Sequence, residues 1–197
     1  MAPVNERSIE WTEHGPGSED LDGAASDTED GRADAQGRFR RKRLGEAAGG
    51  DRLGCSLYEL PAGARAWPYH YHTANEEAIY VLSGRGTLRL DGDTHQIREG
   101  DYVALPADET GAHQVVNDAS TPLRYLMIST MVEPDVAVYP DTDSFGVFVG
   151  SPPGGSEERT LSGFYRSDDD VNYWGDVATE DDHGASERPD GDDPPGD

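Results

Sequence analysis

Cysteine, lysine and uninterrupted apolar sequence are all scarce in this chain. A single cysteine, Cys55, among 197 residues excludes a disulfide framework and a thiolate zinc cluster, since both need several sulfurs. No apolar run approaches the roughly 18–20 residues that span a bilayer. The stretch from Met1 to Glu10 lacks the basic-then-apolar order of a signal peptide. The expectation is a soluble, cytoplasmic protein. Basic residues are few as well: 16 against 40 acids, for a formal net charge of −24, and only Lys42 among them is a lysine. So large an acid excess repels phosphates, which argues against nucleic acid or an anionic membrane as a partner.

What is abundant is aspartate, 24 residues against 16 glutamates. A surface this negative repels itself in ordinary cytosol. In molar salt the Debye length falls to about 3 Å and the repulsion is screened. The composition therefore reads as adaptation to a salt-rich cytoplasm, of the haloarchaeal type.

The acids are unevenly placed. Residues 1–36 and 180–197 are rich in Asp, Gly, Ser and Pro and have almost no apolar periodicity. Neither segment can bury enough apolar surface to offset the entropy of ordering it, so both are expected to be disordered acidic tails. Between them the apolar residues recur with period two. Leu53 to Leu60 alternates and turns at Pro61-Ala62-Gly63. Ala78 to Leu82 ends at Ser83-Gly84, and Thr87 to Leu90 stops at Asp91-Gly92, a tight-hairpin signal. His95 to Arg98, Tyr102 to Leu105, His113 to Asn117, Leu123 to Met131, Val136 to Tyr139 and Phe145 to Val149 follow. No stretch shows a capped 3.6-residue period. Short strands with frequent turns predict an all-β sandwich or barrel over 37–150, then a C-terminal arm over 151–179.

Chemistry concentrates in one region. His70-Tyr71-His72 puts two imidazoles on one face of a strand, because side chains alternate. Glu77 opens the next strand and His113 begins another some forty residues on. Glu76 competes with Glu77, but the spacing and the burial expected for Ile79 and Val81 favour Glu77. Three neutral nitrogens and one carboxylate suit a divalent transition metal: Fe, Mn, Ni, Co, Cu or Zn.

The spacing carries a resemblance. Gly63, His70-Tyr71-His72, Glu77 and Gly84 resemble the first motif of the cupin superfamily. Gly100, Pro106, Gly111, His113 and Asn117 resemble the second, so the core motifs span 63–117. Two spacings depart from the usual pattern: six residues separate Gly63 from His70, and the segment from Pro106 to His113 is redistributed around Gly111. The second departure predicts an enlarged loop entering the His113 strand. The resemblance implies a single jelly-roll barrel with a metal held by His70, His72, Glu77 and His113. The wider stretch, including Asn75-Glu76-Glu77, Arg124-Tyr125-Leu126 and Glu133-Pro134-Asp135, is similar to single-domain cupins that lack a settled reaction.

Other features have plainer readings. Arg38-Phe39-Arg40-Arg41-Lys42-Arg43 is expected to contact acidic surface, as an added strand at the barrel edge. Cys55 alternates with Leu53 and Leu57 and is expected to be a buried core thiol. His14, His95 and His183 lie in polar surroundings and are expected to be solvated. Trp67, Tyr80, Tyr102, Tyr125 and Met127 can line a pocket beside the metal or simply fill the core. Asn117 reads as a strand-end residue. The arm and the open barrel edges predict a homodimer. Two functions fit: a small-molecule metalloenzyme of oxygenase or isomerase type, or a sensor that binds a small ligand or metal without turnover. No catalytic residue beyond the ligands is identifiable, with Tyr71 and Glu76 the nearby candidates for a general base.

Overall fold

A computed structural model describes residues 2–15 and 37–174. The chain divides into two compact units, Met1–Ser167 and Asp168–Asp197. Of the second unit only residues 168–174 are described, and they hold no helix or strand. The rest of the expected N-terminal tail beyond residue 15, the expected tail over 180–197, and His183 lie outside the described residues. Among the described residues no helix is long and apolar enough to cross a membrane.

Among the described residues the first unit is a jelly-roll of thirteen short strands, and its alternating sequence accounts for their sides. The strands are β1 (Thr12–His14), β2 (Phe39–Arg43), β3 (Gly54–Leu60), β4 (Tyr71–His72), β5 (Glu77–Ser83), β6 (Arg85–Leu90), β7 (Asp93–Arg98), β8 (Tyr102–Leu105), β9 (His113–Val116), β10 (Leu123–Ser129), β11 (Asp135–Tyr139), β12 (Ser144–Val149) and β13 (Leu161–Arg166). A four-residue helix, α1 (Leu44–Ala47), follows β2. A six-stranded sheet runs β1-β2-β3-β10-β5-β8, a four-stranded sheet β13-β12-β11-β4, and a three-stranded sheet β7-β6-β9. The Asp91-Gly92 hairpin forms as expected, with φ of 49° and 79° at the two residues and β6 paired to β7 on either side.

Alternate residues of the six-stranded sheet point to one core. Phe39, Tyr58, Ile79, Val81, Leu105 and Tyr125 pack with Leu88, Ile97 and Val115 of the smaller sheet. Tyr58 and Tyr125 face each other across β3 and β10 and stack with centroids 5.2 Å apart. Burial of this apolar surface is the main force that closes the sheets on one another.

Both chain ends add strands that the alternation did not reveal. β1 lies within the expected tail over 1–36 and pairs with β2. β13 pairs along the whole of β12, carrying the sheet past residue 150. The basic run forms the added strand the sequence suggested, but not at the edge, because β1 flanks it. β2 pairs with β3, Arg40 binds Glu59, and Lys42 Nζ lies 3.1 Å from Glu6 Oε2. Trp11 sits under the cations of both Arg40 and Lys42, each 4.5 Å from its ring centroid.

Several single-residue expectations are corrected. His14 is buried, not solvated, because it stacks on Phe39 at 4.7 Å. Cys55 is a free, half-buried thiol, and Leu53 beside it is exposed, since β3 begins only at Gly54. Tyr80 and Tyr102 are exposed partners across β5 and β8 and face away from the core. His95 is exposed, as expected.

Candidate metal centre

The two histidines of the His-x-His pair are held by different sheets. His70 bridges to His113 at the start of β9, and two residues later His72 pairs with Ala137 of β11. Glu77, at the start of β5, pairs with Ser129 on one side and Leu105 on the other. Three separate sheet segments thus converge: one at β9 fixes the backbone of His70 and His113, one at β11 that of His72, and β5 that of Glu77. Glu76, the competing acid, is exposed and points the other way, as strand alternation requires.

The side chains meet. Ligand atoms of His70, Glu77 and His113 lie within 4.8 Å of one another. His72 Nε2 and His113 Nε2 each stand 3.6 Å from Glu77 Oε2, too far for a hydrogen bond. The far side of every ring is engaged. His70 Nδ1–H donates to Pro68 O at 2.7 Å, His113 Nδ1–H to Gly111 O at 3.0 Å, and His72 Nδ1–H to Asp135 Oδ2 at 2.6 Å. A carbonyl or carboxylate can only accept, so each Nδ1 carries the proton and each Nε2 presents a lone pair. The group His70, Glu77 and His113, with two neutral nitrogens and a carboxylate, fits a divalent transition metal ion, and His72 stands beside it outside that group.

Electrostatics favours the neutral ring at His70 and His113 and pulls the other way at His72. Burial pushes the His70 pKa well below its ordinary value, and the neighbouring His113 and His72 add to it. Burial likewise lowers His113, against the opposing pull of Glu77. Burial also acts to lower His72, but the bond to Asp135 and the charge of Glu77 together outweigh it and hold His72 above the usual value. Asp135 is itself fully buried. Burial favours its neutral form, yet the His72 bond and the Ala74 N–H, 3.0 Å from Oδ1, keep it below the usual carboxylate range.

Asp135 is the residue that sequence reasoning passed over as part of the site. It appeared only inside the Glu133-Pro134-Asp135 resemblance, and the one local signal was an acid opening an apolar strand. Asn117 has the structural role read for it: its side chain donates to Leu60 O and Thr121 O, closing the turn after β9.

The segment from Pro106 to His113 is tight, not enlarged. A short 3-10 helix, Glu109–Gly111, folds it back. A Cβ on Gly111 would lie 2.0 Å from Pro106 O, so only glycine fits. The same Gly111 carbonyl anchors the His113 ring, which is why the altered spacing still delivers His113 to the centre.

A cavity of about 310 Å³ is lined by Glu77, alone of the four ligand candidates, together with Met127, Arg41, Glu133, Ser151 and Gly154. Tyr71 and Glu76, the two general-base candidates, are absent from that wall; Glu133 is the carboxylate the sequence did not single out. The C-terminal arm contributes residues 151–157 to the cavity wall.

Comparison with known proteins agrees with this geometry. Residues 56–129 match the Cupin domain family. A provisionally assigned sugar phosphate isomerase from Acidithiobacillus ferrooxidans is similar at 30% identity, with 68% of this chain and 80% of that chain covered and a TM-score of 0.61. A sugar phosphate isomerase of the cupin superfamily from Silicibacter pomeroyi shares 26% identity over 84% of this chain and 93% of its own, with a TM-score of 0.65. The uncharacterized protein MJ1618 of Methanocaldococcus jannaschii is 31% identical over 70 residues, 36% of this chain and 54% of its own. The chain thus spans about half the length of that relative.

Proposed function

The chain belongs to the cupin superfamily through its residues 56–129, and from that premise we propose that it is a metal-dependent enzyme of isomerase type acting on a small hydroxy-carbonyl compound. The observation that carries the reading is the set of three histidines whose Nδ1 atoms are all tied to acceptors, leaving three Nε2 lone pairs around Glu77. In this reading His70, His72, Glu77 and His113 hold one divalent transition metal. When bound, the metal supplies Lewis acidity to an oxygen pair on adjacent carbons.

The chain's own residues supply the rest. Asp135 orients His72 and makes its Nε2 a better donor. Glu133, on the cavity wall, takes a proton from one carbon and returns it to its neighbour, while a second proton moves between the two oxygens. The exchange balances without an oxidant. The isomerase choice over an oxygenase is supported by the two solved structures named above as sugar phosphate isomerases, which this chain matches over 68% and 84% of its length. A sensor without turnover is the reading that would replace it.

A salt-rich, cytoplasmic setting and a homodimer complete the proposal. The first is supported by the net charge of −24. The second is supported by exposed Tyr80, Leu82 and Tyr102 on β5 and β8, where β8 ends the sheet with an unpaired edge. Nucleic acid and membrane are left out as partners on the same charge argument.

The test is elemental analysis of protein purified in concentrated KCl, beside His72→Ala and Glu77→Gln. About one equivalent of a transition metal in the wild type, lost in both variants, is the expected result. The metal-loaded protein is then assayed for aldose–ketose interconversion and for oxygen uptake, and Glu133→Gln should lower interconversion about 100-fold or more with metal content unchanged. A metal-free wild type, even after reloading, removes the enzyme reading. Oxygen uptake in place of interconversion replaces isomerase by oxygenase.

A further inference from the structure

One cation of the basic strand has no counterpart among the described residues. Along β2, Arg40 is paired with Glu59, Lys42 with Glu6 and Arg43 with Glu46. Arg41 is as buried as Lys42, at 6% exposure. Its Nε has no hydrogen-bond partner, and no ion pair reaches its guanidinium among the described residues. A buried, uncompensated charge is costly, because the water it loses is not replaced. A guanidinium cannot escape that cost by losing its proton.

The sheet register aims Arg41 at the catalytic side of the molecule. Arg41 pairs with Tyr58 and Tyr58 with Tyr125, so it shares the inward face with the core aromatics. Glu77 is on the same face, paired with Ser129, four residues along β10 from Tyr125. Both line the one cavity. Three strand spacings and four residues separate their α-carbons, about 14 Å across and 13 Å along a flat sheet. Both side chains reach inward and shorten the gap. Opposite the guanidinium runs a glycine-rich stretch, where Arg41 Nη1 lies 3.8 Å from the place a Cβ on Gly154 would take. Glycine leaves room there. Two acids on the same wall are already engaged: Glu46 by Arg43, and Glu133 by the Gly150 N–H.

We propose that Arg41 is the anion-recognition residue of this cavity and holds the phosphate of a phosphorylated, extended hydroxy-carbonyl substrate whose other end lies at the Glu77 side. The substrate's far end rests on the function proposed above; the anion site itself rests on Arg41. A planar guanidinium offers paired donors that match two phosphate oxygens, which a lysine does not. The overall charge of −24 does not forbid this, since salt screens the distant carboxylates while a desolvated contact is screened much less.

The test is calorimetric titration of inorganic phosphate into the full chain in KCl, with metal content measured in parallel. Wild type and Glu77→Gln should both bind phosphate, placing the anion site apart from the metal. Arg41→Met should weaken binding about tenfold or more, as loss of charged hydrogen bonds does. Arg41→Met should melt no lower than wild type, because an apolar side chain of similar length replaces an unpaired charge. Should Arg41→Met fail to fold, Arg41→Lys decides, with severalfold weaker binding expected from loss of the paired donors. Wild-type affinity in the folded Arg41 variant, or no saturation in the wild type, overturns the proposal. Phosphate held through Arg41 in a protein without metal would remove the enzyme reading alone. Metal present with phosphate indifferent to Arg41 would remove this inference alone.

Discussion

At the scale of single residues the site depends on groups that touch no ligand. Asp135 is fully buried, bonded to His72 Nδ1 at 2.6 Å and held in turn by the Ala74 N–H. Outer partners of this kind set ring orientation and basicity, and their loss typically lowers metal affinity about 10- to 100-fold. Asp135→Asn should do so at pH 8. The pH profile should move as well. Asp135 helps hold the His72 pKa above its ordinary value, so in the wild type protons compete with metal from above that value downward. The asparagine variant lacks this pull, burial then dominates, and the midpoint pH below which metal affinity falls off should move down. Metal titration between pH 5 and 8 reads both effects. Weaker binding with an unmoved midpoint would mean that Asp135 only fixes the ring's orientation.

At the scale of elements the decisive piece is the turn into β9. Pro106 to Gly111 folds back so tightly that Gly111 has no room for a side chain, and its carbonyl fixes His113. Gly111→Ala must push the turn away from Pro106, so the expected outcome is at least about tenfold weaker metal binding, with a stability loss on the order of 1–3 kcal/mol. Metal titration and thermal melting check it together. The turn also shows where spacing misleads. Counting residues from Pro106 to His113 predicts a larger loop, because the count cannot register a 3-10 turn that absorbs the extra length. Strands β1 and β13 went unread for a related reason. Thr12–His14 and Leu161–Arg166 are edge strands, β13 is mostly exposed, and neither needs the apolar alternation that marks a core strand.

At the scale of the whole molecule the charge is the controlling quantity. A net charge of −24 on 197 residues destabilises the compact state by self-repulsion, and salt screens it. The melting temperature is therefore expected to climb steadily from low salt to molar KCl, followed by circular dichroism. A flat curve would remove the salt-rich setting from the proposal. The basic strand already shows the local counterpart of this balance, with Glu6 and Glu59 neutralising β2 from within the chain.

Much of this protein was determined by sequence alone. Period-two alternation fixed an all-β barrel, since burying one face of a strand requires it. The His-x-His pattern, and the resemblance of the spacing of His70, His72, Glu77 and His113 to the cupin motifs, named the ligand candidates. Other features were decided only by the tertiary structure. Asp135, sixty-three residues from His72, became its partner through the pairing of β4 with β11. His14 left solvent by stacking on Phe39. Arg41, one base among five in a run, ended up buried without a partner among the described residues, because β2 pairs with β3 in a register that turns it inward. Local pattern sets which side chains share a face; only the closure of the sheets sets which faces meet, and with them the charges that must be answered.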